Sequence, residues 1–148
     1  MLSFMRILTL ACLILLSSSL RAENFQPGTE TEVPIEGLEN PVIVWVPEDY
    51  RADRFWPVVF HYHGTDGMPT TDIPRVYTGG RGFVIVGMEF TVRGCPKATT
   101  EFFEGEVANL GAVRSQITPY LKLDLKRQYV GGFSKGGWIA STLMESYL

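Results

Sequence analysis

One stretch of the sequence decides the fold: Arg127-Gln128-Tyr129-Val130-Gly131-Gly132-Phe133-Ser134-Lys135-Gly136-Gly137. An apolar strand signal leads into a G-x-S-x-G pattern, and helical spacing of apolar residues follows it. In that context the serine lies on a sharp turn, where flanking side chains would clash. Gly132, Gly136 and Gly137 remove those side chains and let strand and helix approach closely. The pattern predicts an exposed hydroxyl on Ser134, which is therefore a candidate catalytic nucleophile.

A turn of this kind also predicts backbone N–H groups that donate hydrogen bonds to an oxyanion formed beside Ser134. The backbone N–H of Lys135 opens the following helix, where amide donors converge. A second donor is expected from the Thr65 N–H, because Gly64 directly precedes it in the loop after an earlier buried strand. His63 is interpreted as a residue that fixes this loop and not as a base. The Lys135 side chain is expected to face solvent, where its charge would favour anionic substrates.

Outward from the motif, strands and helices alternate along the chain. Predicted strands cover 31–36, 41–46, 57–63, 83–88 and 127–130, and predicted helices cover 99–121 and 136–148. Residues 70–82 are expected to form a loop with at most one helical turn, because they contain Pro74 and the glycine cluster Gly79-Gly80-Arg81-Gly82. The order predicts an α/β fold with a mostly parallel sheet, an N-terminal antiparallel hairpin, and helices on both faces.

The N-terminus differs from the remainder. Residues 1–22 have one early positive charge, an aliphatic run of about ten residues and a small-residue cleavage region, which predicts a signal peptide and a secreted or periplasmic protein. A single-pass anchor is the alternative, but spanning a bilayer takes roughly 20 apolar residues. Removal of this segment leaves a polar lead over 23–30, an α/β domain over 31–148, and no membrane span.

Composition narrows the class of partner. Of the residues, 45% are apolar and the net charge is −3, which fits a globular domain and argues against nucleic acid as a partner. After cleavage Cys95 would be the one remaining cysteine. A lone thiol in an oxidising compartment suggests either a buried group or a missing disulfide partner.

A metal site is a competing interpretation. His61 and His63 are separated by one residue, so on a strand both would face one side, with Asp66 close by. These are the two histidines of the sequence, whereas a catalytic zinc usually takes three protein ligands. We therefore expect no metal.

Three segments resemble the secreted α/β-hydrolase esterases near the polyhydroxybutyrate depolymerases, feruloyl esterases and dienelactone hydrolases. Val44–Tyr50 is similar to the strand and P-x-x-Y turn of that family, and His63-Gly64 to its oxyanion loop. Asp124, Arg127 and Tyr129 resemble its D-x-x-R-x-Y approach to the serine. The resemblance implies that Ser134 attacks an ester carbonyl of a small molecule or polymer, that the Thr65 and Lys135 amides bind the oxyanion, and that no cofactor is needed.

The resemblance also predicts what this sequence lacks. In that fold the acid and histidine of the triad follow the serine, but no histidine follows Ser134. We expect a fragment or truncated gene product that is inactive alone, with an exposed sheet edge at 127–130. A serine peptidase of the prolyl-oligopeptidase type and a non-catalytic binding or scaffold protein are the alternatives.

Overall fold

A computed structural model describes residues 24–147, and the predicted signal peptide lies outside them. The described chain begins with an antiparallel hairpin of β1 (Glu30–Val33) and β2 (Val42–Trp45). Val33, Val42 and Val44 are fully buried, so the hairpin packs one apolar face on the core. The predicted N-terminal hairpin is confirmed.

The remaining elements form a single sheet with flanking helices. They are β3 (Trp56–Tyr62), α1 (Asp72–Thr78), β4 (Val84–Met88), α2 (Thr100–Ile117), β5 (Leu123–Gly132) and α3 (Lys135–Tyr147). The strand order is β1-β2-β4-β3-β5, with β3 parallel to both β4 and β5. The α/β class, with parallel strands joined through helices and a hairpin on one side, is confirmed.

The two faces of β3 pack against different helices. Val58, Phe60 and Tyr62 are fully buried in the main core, to which α2 and α3 contribute. The alternate residues Val59 and His61 line a groove with α1 on the opposite face. No helix within 24–147 is both long and apolar enough to cross a bilayer.

Helix α1 corrects one prediction, because 70–82 was expected to hold at most one helical turn. The seven-residue helix starts after Thr71 and ends at Gly79, which is left-handed at φ 64° and donates its N–H to the Arg75 carbonyl. Pro74 lies in the first turn, where backbone N–H groups have no partner within the helix, so it does not disrupt the helix. Proline was therefore wrongly interpreted as a break.

Strand β5 is longer than predicted and pairs irregularly with β3. Trp56 lies opposite Leu123, but Val58 lies opposite Gln128, so two steps along β3 correspond to five along β5. From Gln128 onward five consecutive pairs are in regular parallel register, ending with Tyr62 opposite Gly132. This regular part places the ends of β3 and β5 side by side.

Candidate active site

Ser134 occupies the turn between β5 and α3. Its φ is 55°, and among the described residues it is the one non-glycine residue with positive φ. This left-handed conformation is costly for a residue with a side chain. The residue is exposed, so the turn presents the Ser134 hydroxyl to solvent at the carboxyl end of the sheet.

The packing of the turn requires glycine at 132 and 136 and leaves little room for a side chain at 137. A Cβ placed on Gly132 would lie 2.3 Å from the Gly136 carbonyl carbon, and one on Gly136 would lie 2.2 Å from the Tyr62 oxygen. A Cβ on Gly137 would lie 3.2 Å from the Gly132 oxygen. These neighbours are backbone atoms of the sheet and the turn, so none of them can swing aside.

The end of β3 is in direct contact with this turn. The Phe133 N–H donates to the Tyr62 carbonyl over 3.0 Å, which joins the turn to β3. A Cβ on Gly64 would lie 3.2 Å from the Phe133 ring and 3.8 Å from Cβ of Ser134. The structure thus brings together the two segments, 63–65 and 132–136, that the sequence analysis assigned to one site.

The loop after β3 forms a tight turn over 64–67, in which the Gly67 N–H donates to the Gly64 carbonyl over 3.1 Å. His63 Nδ1 also lies 2.6 Å from that carbonyl oxygen. The His63 side chain is buried and its ring packs edge-on against Phe90, with 4.4 Å between ring centroids. These contacts hold the His63 ring against the loop, and Thr65 lies half-buried within the same turn.

Glu89 is a member of the site that the sequence analysis missed. It follows β4 directly, is fully buried, and its Oε1 lies 3.1 Å from His63 Nε2. The same carboxylate accepts hydrogen bonds from the Phe90 N–H and from Asn40 Nδ2. Burial opposes its ionisation, but these three donors outweigh that cost, so the pKa of Glu89 is lowered. An acidic residue immediately after a buried strand was the available signal.

The Lys135 side chain contradicts its prediction, because it is buried and does not face solvent. Its Nζ donates to the Val92 carbonyl over 2.9 Å and lies 3.8 Å from the centroid of the Phe90 ring. Its aliphatic stem can pack in this apolar setting while the ammonium finds a carbonyl and a ring face. Burial lowers the pKa of Lys135. The charge therefore anchors the start of α3 and offers no attraction to anionic substrates.

Glu106 is a second buried carboxyl, located on α2. Its Oε1 accepts from the N–H of Thr91 over 2.8 Å and from the Thr91 hydroxyl over 2.7 Å. Its Oε2 is buried and, within the described part of the chain, has no hydrogen-bond partner. Burial raises the pKa of Glu106 in spite of those donors. The ionised form therefore costs folding free energy.

Glu106→Gln is accordingly expected to stabilise the protein at neutral and alkaline pH. Because the folded-state pKa lies above the ordinary 4.5, the penalty appears as pH rises past that value and is absent below it. We expect a melting temperature higher by about 2 °C or more at about pH 8 and no gain at about pH 4. Glu104→Gln, at an exposed position of the same helix, is the control. An equal gain at both pH values would contradict this account.

The metal-binding alternative finds no support in the geometry of His63. Both of its ring nitrogens face oxygen acceptors, the Gly64 carbonyl and the Glu89 carboxylate. His61 is buried and lines the groove beside α1, and burial lowers its pKa. Within residues 24–147, no cluster of three metal-binding side chains is present.

An apolar groove of 630 Å³ lies beside the turn. Phe133, Val59 and Tyr77 contribute to its walls, and Gly132 lies at its edge. Phe133 and Tyr77 are largely exposed, so the groove is open to solvent. It provides apolar surface next to Ser134.

Two esterases are among the similar solved structures. One is the CE1 ferulic acid esterase AmCE1/Fae1A of the anaerobic fungus Anaeromyces mucronatus, at 17% identity and TM-score 0.46, with 80% of this chain and 54% of that chain covered. The other is a thermostable esterase at 20% identity and TM-score 0.47, with 84% and 38% covered. Both are esterases, the kind of enzyme that the sequence resemblance named. The chain thus spans about half or less of the length of these proteins. No protein-family model and no curated protein matches the sequence.

Proposed function

We propose that this chain carries the nucleophile and the oxyanion hole of a serine hydrolase that acts on carboxylic esters. The observation that carries the proposal is the left-handed, exposed Ser134 beside the loop at Gly64. A structural turn has no need of a strained serine, because glycine adopts the same conformation without cost. Backbone strain of this kind is found mainly at functional sites, where the side chain takes part in binding or catalysis.

In the proposed reaction, Ser134 Oγ attacks the ester carbonyl, and the carbonyl oxygen becomes negatively charged. The N–H groups of Thr65 and Lys135 donate to that oxygen, each lowering the barrier by roughly 3 kcal/mol. The hydroxyl proton must pass to a base. Both histidines of the chain are buried, and His63 is engaged with Glu89. We therefore propose that base and acid come from outside these 148 residues and that the chain alone is inactive.

The proposed substrate is a small-molecule or polymer ester. The apolar groove at Phe133 is suited to an acyl or aryl group and presents no cationic side chain, since the Lys135 ammonium is buried elsewhere. The predicted signal peptide supports a secreted or periplasmic enzyme. A serine nucleophile with backbone donors needs no cofactor. A negative net charge offers nothing to bind nucleic acid.

Labelling with a fluorophosphonate tests the proposal on the chain itself. Imidazole in the buffer supplies the missing base, and peptide mapping by mass spectrometry locates the label. We expect Ser134 to react about tenfold or more faster than the exposed Ser115 of α2, because the oxyanion donors also stabilise the phosphoryl oxygen of the five-coordinate transition state from which fluoride leaves. Ser134→Ala should remove this labelling and Ser115→Ala should preserve it.

Equal labelling of Ser134 and Ser115 would refute the hydrolase proposal. If a ligand binds the groove and Ser134→Ala leaves its affinity unchanged, the non-catalytic binding protein is the better description. Aryl ester and anilide substrates, compared in the same buffer, separate esterase from peptidase chemistry.

A further inference from the structure

We propose that Glu89 is a positioning residue that sets the direction of the Thr65 N–H through His63. The inference rests on the proposed function, since it concerns one donor of the proposed oxyanion hole. It starts from a chain of contacts: Glu89 Oε1 to His63 Nε2 at 3.1 Å, and His63 Nδ1 to the Gly64 oxygen at 2.6 Å. The chain runs from the end of β4 to the turn beside Ser134.

Peptide geometry converts this contact chain into a direction. The Gly64 carbonyl and the Thr65 N–H belong to one planar trans peptide, so they point in opposite directions. Donors on the Gly64 oxygen therefore fix the Thr65 N–H as well. That oxygen faces two donors, the His63 ring and the Gly67 N–H at 3.1 Å. If the His63 contact is lost, one turn hydrogen bond is left to hold the peptide.

A carboxylate at position 89 determines which protons the His63 ring carries. Both ring nitrogens face acceptors, and imidazole has two N–H donors only when it is protonated. The buried negative charge of Glu89 compensates the resulting positive charge. With a neutral side chain at position 89 the His63 ring would be neutral as well, so one of its nitrogens would carry a lone pair in place of a proton. The Phe90 N–H and His63 Nε2 share Oε1, so in Glu89→Gln the amide oxygen keeps that position and Nε2 keeps its proton. The lone pair then lies on Nδ1, where it repels the Gly64 oxygen.

The surroundings hold Glu89 in place independently of His63. Asn40, from the β1–β2 loop, and the Phe90 N–H donate to its carboxylate, and Asn109 of α2 donates to its backbone carbonyl over 2.9 Å. The Lys135 ammonium lies 3.8 Å from the centroid of the Phe90 ring. Residues 89 and 90 thus contact both proposed donor segments, the loop at 63–65 through His63 and the start of α3 through Lys135.

The first experiment needs no catalysis. In nitrogen-15 NMR spectra of the full chain at about pH 7, we expect two slowly exchanging ring N–H signals from His63, since its side chain is buried and both ring nitrogens lie against an acceptor. Glu89→Gln should leave one, whereas Glu104→Gln should leave two. A single His63 ring N–H in the wild type overturns the proposal, and this result stands even if Glu89→Gln fails to fold.

The second experiment measures fluorophosphonate labelling of Ser134 in imidazole at several reagent concentrations. Glu89→Gln should lower the maximal labelling rate about tenfold or more and leave the half-saturating concentration within about twofold, because an oxyanion donor acts in the transition state. A general loosening of the fold would change both quantities. Glu104→Gln should change neither.

The two proposals fail in different ways. An unchanged maximal rate in Glu89→Gln overturns the positioning role and leaves Ser134 as the nucleophile. If Ser134 of the wild type reacts no faster than Ser115, the hydrolase proposal fails, and the inference about a catalytic donor fails with it. The NMR comparison then still decides whether Glu89 sets the protonation of His63.

Discussion

Gly136→Ala is expected to lower the free energy of unfolding by about 3 kcal/mol or more, the largest effect of any single methyl group in the motif. The added Cβ would lie 2.2 Å from the Tyr62 oxygen and 2.6 Å from the His63 oxygen. Relief requires α3 to move away from β3, which breaks the contact between the Phe133 N–H and Tyr62. Urea denaturation followed by circular dichroism measures the change.

Gly131→Ala is the matched control, one position before the motif. A Cβ there meets no atom within 4 Å. The substitution should therefore change stability by no more than about 0.5 kcal/mol. If the two variants unfold within about 1 kcal/mol of each other, close approach is not the reason for glycine at position 136.

Glu89→Ala is expected to destabilise the protein by about 3 to 5 kcal/mol, because three hydrogen-bond donors lose their acceptor at a buried position. His63 would keep its place beside the Gly64 carbonyl without the carboxylate on its other nitrogen. Asn40 and the Phe90 N–H would lose their shared acceptor. Denaturant unfolding at about pH 7 measures the loss.

A double-mutant cycle with His63→Ala separates the pair from its surroundings. The double variant should be more stable than the sum of the single losses predicts, by about 1 kcal/mol or more. Strict additivity would mean that Glu89 and His63 act independently. Glu104→Ala, which removes an exposed carboxylate, should stay within about 0.5 kcal/mol of the wild type.

The turn at Ser134 was predictable from the sequence because its determinants are local. An apolar strand signal, a serine between glycines and a helical stripe occur within about twenty residues, and each restricts the same backbone. The parallel strands were predictable for a similar reason, since continuous apolar runs indicate strands covered on both faces. Thr65 and Ser134 were assigned to one site on this basis, and the loop at Gly64 lies beside Ser134.

The missed features depend on contacts distant in sequence. Glu89 acquires its partners from Asn40 and His63, which lie 49 and 26 positions away. The Lys135 side chain was expected in water because lysine usually lies there, but Val92, 43 positions away, supplies a carbonyl for its ammonium. The helix at Pro74 was missed for a local reason. Proline breaks a helix in its interior but is tolerated in the first turn, and the sequence did not show where the helix begins.

The pairing between β3 and β5 is irregular only between the Trp56–Leu123 and Val58–Gln128 pairs, so a change in the length of β5 can be accommodated there. Three more residues are accommodated between Leu123 and Gln128 than between the facing positions of β3, whereas the five pairs that follow are regular. An insertion or deletion before Gln128 would change only the irregular segment between Leu123 and Gln128. The spacing from the Tyr62–Gly132 pair to Ser134 would stay the same. We therefore expect the segment 124–127 to accept a tag or a flexible linker without displacement of Ser134.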